Sequence, residues 1–303
     1  MAIQRSGTRG NQLTILLAFF SIYVIWGSTY LAIRYAVETI PPLFTAGARH
    51  LTAGSILLLW CLFRGQRPTW QEWKAASVTG FFFFLIGHGT IHWAEQVVPS
   101  GLAALLIATE PILVFVLWAA VRRRWRLNGL LIAGFALGLA GVGLLFQGSQ
   151  MRSTSGMLSG SLAVLVGALS WSVGIVYSRR SHLSGNPLLL SALSLLSGGA
   201  MLVLTGIAVG ETGRLSLAAI SHRSLAALAY MIIFGSIMAF TAYNWLLERY
   251  PPTLVATHTY VNPIVAVLLG WWLAGEELTL NLGAAAILIV GAVALIQRGG
   301  GGE

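Results

Sequence analysis

Glu110 stands directly before Pro111 in the stretch ATEPILV, inside an apolar run from 100 to 121 that carries no other charge. A carboxylate at that depth of a bilayer is costly, so it marks a substrate pathway, a proton-accepting group or an ion-pair partner. His88, His92 and Glu95 follow at i, i+4 and i+7, which is one face of a helix. Histidine titrates near neutral pH, so the stripe reads as a cavity wall with a proton-accepting pair, or as helix-to-helix hydrogen bonding below a surface glutamate. Arg49 and His50 share another apolar run. A guanidinium there either grips a substrate carboxylate through two parallel hydrogen bonds or forms a structural ion pair with Glu95 or Glu110.

His258 and Asn262 recur at i, i+4, and Tyr243 and Asn244 lie near the end of the preceding apolar run. Their donors and acceptors match what the ammonium and carboxylate of an amino acid need after leaving water. Tyr23, Trp26, Tyr30 and Arg34, spaced by three, four and four, share a helix face, on which Trp26 and Tyr30 serve as cavity lining or as packing. Trp171, between Ser170 and Ser172, offers an apolar plate with one N–H donor, suited to an amphiphilic substrate. With no Asp, a lone Cys61 and no HExxH pattern, neither a metal site nor another cofactor is expected. The absence of a GxxxxGK[ST] segment means that ATP drive would need a separate subunit.

The elements that must position these groups follow from composition. Of 303 residues, 56% are hydrophobic and 9% charged, against about a quarter charged in soluble domains. The expected class is an all-α, polytopic membrane protein. The net charge of +9 comes from 17 Arg and Lys74 against nine Glu, spread over short loops. No soluble module is left to present a basic face to nucleic acid, so the expected partners are a small-molecule substrate and the lipid bilayer. The apolar run from Leu13 continues past Ile33 without a cleavage site and is kept as a first helix. Ten spans are predicted, at 13–35, 43–63, 75–97, 100–121, 128–147, 157–178, 187–209, 225–247, 252–274 and 281–297.

With the N-terminus in the cytoplasm, thirteen basic residues fall on the inner side: Arg5, Arg9, Arg64, Arg67, Lys74, Arg122, Arg123, Arg124, Arg126, Arg179, Arg180, Arg249 and Arg298. Four fall outside, Arg34, Arg152, Arg214 and Arg223. This bias predicts an inner-membrane protein with both termini cytoplasmic.

Internal similarity divides the chain. IWGSTYLAIRY (25–35) aligns with SWSVGIVYSRR (170–180), placing Trp26 on Trp171 at an offset of 145. HWAEQVVPS (92–100) aligns with NWLLERYPP (244–252), and TEPILVFVL (109–117) with VNPIVAVLL (261–269), both at an offset of 152. Two five-helix repeats result, residues 1–150 and 151–303, and because five is odd the second is inverted around a shared central cavity. Glu110-Pro111 then corresponds to Asn262-Pro263. A proline inside a helix removes one hydrogen bond, so Pro111 and Pro263 are expected to mark paired gates. Glycines 134, 138, 141 and 143 in the fifth helix and 283 and 291 in the tenth suit tight packing, lipid exposure or a contact between subunits of a homo-oligomer.

The segments IWGSTYLAIRYAVETIPPLFTAGARHLTAG, TEPILV and VNPIVAVLLGWWLAGEELT, within this ten-span inverted repeat, resemble the drug/metabolite transporter superfamily, specifically its EamA-type members, over about residues 13–297. Within it the chain is similar to exporters of the YddG type, which move aromatic amino acids. The resemblance implies two bundled halves, with the fourth and ninth helices near the cavity wall and the fifth and tenth more peripheral. The function expected is export of amino acids or related metabolites by alternating access. The alternatives are export of toxic or drug-like compounds and, in a different class, an intramembrane enzyme acting on lipid, which would need converging acids or a nucleophile-base pair.

Overall fold

The computed structural model describes residues 12–122, 128–147, 155–180, 186–250, 255 and 258–300. These residues form ten long helical segments and no strand: α1 (Gln12–Ala36), α2 (Pro42–Phe63), α3 (Trp70–Ala94), α4 (100–122), α5 (Gly129–Gln147), α6 (Met157–Arg180), α7 (Pro187–Ala208), α8 (222–249), α9 (His258–Ala274) and α10 (Leu280–Gly300). Seven are at least 18 residues long and apolar enough to cross a bilayer, and α5, α9 and α10 contribute shorter apolar stretches. The helices fall where the apolar runs do. The third starts five residues earlier than expected, at Trp70, because Thr69 and Glu72 form a reciprocal capping box.

Contacts define the two ends of the bundle. At the Thr39 end, Thr39 meets Ser221, Glu38 meets Arg223, and Gln96 meets Arg214. At the Arg64 end, Cys61 and Ala76 of the first half pack with Leu189 and Leu193 at the start of α7. The α1–α2 connection thus lies at the Thr39 end, whereas the start of α7, which corresponds to α2 in the repeat, lies at the Arg64 end. The second half is upside down relative to the first.

In lipid, helices gain little from apolar burial and are held by close packing and polar contacts. Here glycines provide the approach. A methyl group on Gly54 would lie 2.8 Å from the Leu196 nitrogen, and one on Gly199 2.7 Å from that of Leu51, so α2 and α7 touch backbone to backbone. Gly134 and Gly141 seat Ile296 and Ile289 of α10 in the same manner. Gly134, Gly138 and Gly141 of the fifth helix therefore pack within the chain, whereas Gly143 faces open space. Between α3 and α7 the Thr79 and Ser194 hydroxyls bond at 2.6 Å.

Three helices carry π-helical turns: Ser21–Ile25 in α1, Phe81–His88 in α3 and Met231–Met238 in α8. The last two are eight residues each, offset by 150, and occupy corresponding helices of the two halves. A π turn leaves carbonyls available to other donors and often marks a functional position. The prolines behave differently from each other. Helix α4 breaks at 108–109, which puts Pro111 in the first turn of a new helix, Glu110–Arg122, whereas α9 runs without a break through Pro263. The paired distortion is therefore the π turn rather than the proline.

Candidate functional site

A cavity of about 130 Å³ opens between α1, α2, α3, α4, α6, α7, α8 and α9, walled by both halves. At roughly 10–15 Å³ of such space per water it accommodates on the order of ten waters, the scale of one small metabolite. Trp26, Tyr30, His88, Glu110, Trp171, Tyr243, His258, Asn262 and Pro263 all line it, as do Arg49, His50, Phe84 and Phe240. Pro111 does not reach the wall. Asn244 lies in α8 with its side chain outside the described residues.

Two aromatic groups shape the walls. On one side Trp26 packs against Tyr243 at 5.0 Å and His258 at 5.2 Å between ring centroids. Its indole N–H donates to the Gly235 carbonyl in the π turn of α8 at 3.1 Å, which fixes the ring plane. On the other side Trp171 stacks on His88, with centroids 5.1 Å apart and planes 13° apart, and packs on Phe83 at 4.5 Å. Trp171 is thus a plate with a supporting layer behind it. Trp171→Phe should keep most transport, whereas Trp171→Ala should lower it at least tenfold with insertion intact; equal losses of activity and folded protein would assign the ring to packing alone.

The charged groups were the ones whose partners the sequence left open. Arg49 is 4% exposed. Its Nε donates to Ser236 Oγ at 2.8 Å and its Nη1 lies 3.6 Å from Met231 Sδ. The expected pairing with Glu95 or Glu110 does not form: the ion pairs among the described residues are Arg34–Glu276 at 3.6 Å and Arg223–Glu38 at 3.7 Å. The reason is the π turn of α8, where a methyl group on Gly235 would lie 3.1 Å from Arg49 Nη2, so the bare backbone draws the fork toward α8. The Glu110 carboxylate accepts no hydrogen bond from the described residues, although it lines the same cavity. Tyr30 lies within electrostatic reach of both Arg49 and Glu110. A guanidinium and a carboxylate thus share one cavity without neutralising each other.

Asn262 has a structural task as well. With its amide oriented by its surroundings, the NH₂ faces the carbonyls of Ile22 at 3.0 Å and Tyr23 at 2.9 Å, in the π turn of α1, and that of His258 at 3.1 Å. It ties α9 to α1 where Gly27 lets Val265 approach.

Two expectations about α3 are corrected. His92 is fully buried beyond the cavity wall, with its Nδ1 donating to the His88 carbonyl at 2.7 Å. Glu95, at the C-cap of α3, is 1% exposed rather than a surface group.

Two other glutamates close the Thr39 end, and no local pattern announced them. Glu276 accepts from the Ser100 and Gly101 backbone N–H groups at 2.7 and 3.0 Å and pairs with Arg34, so it caps α4 while holding α1. Glu211 accepts from Leu43 and Phe44 at the start of α2. Burial raises its carboxyl above the ordinary range, while those N–H groups and Arg214 pull it back. Each carboxylate sits at a positive helix N-terminus and spans the two halves. Their partners lie more than 160 residues away, beyond the reach of spacing arguments.

The bundle, its inverted halves and a central cavity with fixed polar groups define a membrane transporter. Residues 12–147 and 158–298 each match the EamA-like transporter family. The chain belongs to that family. It is 38% identical over 285 residues to the "Uncharacterized inner membrane transporter YedA" of Escherichia coli (strain K12), covering 93% of this chain and 90% of that protein. It is 25% identical over 278 residues to the "Uncharacterized transporter YoaV" of Bacillus subtilis (strain 168), covering 91% and 94%. A solved crystal structure superposes with a TM-score of 0.65 at 24% identity, covering 94% of this chain and 97% of that one, a likeness that concerns the fold.

Proposed function

We propose that this protein exports amino acids, or metabolites with the same pair of charges, across the inner membrane by alternating access. The supporting observation is the cavity that holds Arg49 and Glu110 apart. A buried guanidinium without a carboxylate partner is costly, and a substrate carboxylate would satisfy it. Glu110 offers an acceptor for an ammonium group, and Trp26 and Trp171 provide apolar plates for the side chain. Substrate then replaces the hydration it loses. One guanidinium and one carboxylate in the same cavity suit a zwitterion better than a singly charged drug-like molecule, and the family is one of transporters.

In this reading the Thr39 end is periplasmic and closed by Glu276 and Glu211. Substrate reaches the cavity from the Arg64 end, and rocking of the halves about the π turns of α3 and α8 opens the other side. The decisive experiment is counterflow in proteoliposomes: preloaded unlabelled amino acid should accelerate entry of the labelled one. Neither an enzyme nor a channel would give that exchange. No amino acid producing counterflow would refute the assignment. For topology, reporter fusions after Gly65, Arg123, Ser181 and Gly300 should read cytoplasmic and those after Gln150 and Glu211 periplasmic, and a periplasmic result at Arg123 would overturn the orientation.

A further inference from the structure

The buried face of α3 carries more polar chemistry than the cavity uses. His88 Nδ1 and His50 Nε2 lie 2.8 Å apart, a hydrogen bond between two imidazoles inside the bundle. Both rings touch the cavity. One turn further toward the Thr39 end, His92 uses Nδ1 as a donor to the His88 carbonyl, which fixes its neutral tautomer with a lone pair on Nε2. That Nε2 is buried and has no partner. Next on the same face comes Glu95, with both carboxylate oxygens buried and unpartnered. His50 Nδ1 is a further buried atom without a partner. Such orphans are rare, because each costs the hydrogen bond it had in water. Four of them lie along two packed helices, and the far end of the line is one residue from the exposed Gln96 at the Thr39 end.

We propose that Glu95, His92, His88 and His50 form a proton path between the Thr39 end and the cavity, which couples transport to the proton gradient. This rests on the amino-acid reading of the cavity only for the identity of the exchanged solute. The steps conserve charge and atoms. A hydronium ion at the Thr39 end breaks one O–H bond and is left as water while the O–H bond of Glu95 forms. That bond breaks as N–H forms on His92 Nε2 through a bridging water or a turn of the Glu95 side chain, since the two groups are not hydrogen-bonded to each other in this structure. Rotation of the His92 ring, or one bridging water, carries a proton across the 6.0 Å between the His92 and His88 ring centroids. The final transfer runs along the 2.8 Å bond between His88 and His50, and a proton leaves into the cavity.

Charged groups of α1, α2, α4 and the segment after α9 bear on this line, and α7, which also packs on α3, has no charged residue. Arg49 of α2 lies within electrostatic reach of all three imidazoles. Arg34 of α1 and Glu276, after α9, act on Glu95 with opposite signs. Tyr30 of α1 lies near both Glu95 and Glu110 of α4. Helix α6 contributes the Trp171 plate, which stacks on the His88 ring.

Two measurements test the path. Infrared difference spectra of the purified protein, without substrate, should show the carbonyl stretch of a buried protonated carboxylic acid, and Glu95→Gln should remove it. In proteoliposomes, a mixture of the twenty ¹⁴C-labelled amino acids is followed first by counterflow at equal pH and then by accumulation under an imposed pH gradient, with an entrapped pH dye reading proton movement. Glu95→Gln and His92→Gln should keep counterflow within about twofold and lose gradient-driven accumulation and its proton signal at least tenfold. Preserved counterflow shows that each variant is folded, and His92→Gln carries the test if Glu95→Gln fails to insert. Wild-type accumulation in both variants would overturn the path. If the wild-type protein shows no counterflow, the amino-acid reading fails by itself and the infrared band decides: a band lost in Glu95→Gln supports the path, and no such band overturns it.

Discussion

Arg49→Met should abolish amino-acid binding while raising the melting temperature of the substrate-free protein. The two effects have one cause. Arg49 is buried at 4% exposure with a serine hydroxyl and a thioether sulfur as its side-chain contacts, so the folded protein carries a charge that only the substrate would neutralise. Replacing such a charge with an apolar side chain of similar volume is often neutral or stabilising. Losing the partner of a substrate carboxylate costs about 2–5 kcal/mol of binding, roughly 30-fold to several thousandfold. Arg49→Lys keeps the charge but not the planar fork, and should bind weakly, between the two. Substrate-dependent thermal shifts and counterflow read both quantities. A destabilised Arg49→Met protein that still binds would show that the arginine serves the fold.

Glu110→Gln should leave stability within about 0.5 kcal/mol and cut flux at least tenfold. The sequence alone allowed the opposite outcome, a stranded arginine and a loss of several kcal/mol, had Glu110 been the partner of Arg49. In the folded protein the guanidinium is bound to Ser236 instead, so the amide strands nothing. What disappears is a carboxylate for which a proton and a substrate ammonium compete. Wild-type flux should therefore vary with pH across the titration of this group, and the variant's residual flux should be flat. Equal pH profiles for the two proteins would remove Glu110 from the transport cycle.

Most of the candidate site was legible because a bilayer makes polar residues expensive, so each one inside an apolar run calls for a use. Trp26, Tyr30, His88, Glu110, Trp171, Tyr243, His258 and Asn262 were found that way and share one cavity. The same logic misplaced His92 and Glu95, since a seven-residue spacing fixes a helix face but not how far the cavity extends along it. Phe84 and Phe240 were hidden among apolar neighbours, where nothing distinguishes a wall from packing. The π turns at 81–88 and 231–238 were invisible for a related reason. FFFFLIGH and MIIFGSIM share a central phenylalanine and little else, and a π turn arises from packing against neighbouring helices rather than from local propensity.

By itself the sequence determined a ten-helix inverted repeat, because hydropathy, arginine bias and repeat offsets are properties of the chain that a membrane reads directly. It determined as well which polar groups the bilayer interior must accommodate. Only the tertiary structure decided their partners. Whether Arg49 meets Glu110, Glu95 or Ser236 depends on a π turn in α8, 187 residues away, that exposes one hydroxyl beside one bare glycine. Whether Glu276 is a loop charge or the clasp of α1 and α4 depends on a helix N-terminus brought to it across 176 residues. Charge cost is local to a residue and its depth, whereas satisfaction of that charge is a relation between helices that only their packing creates.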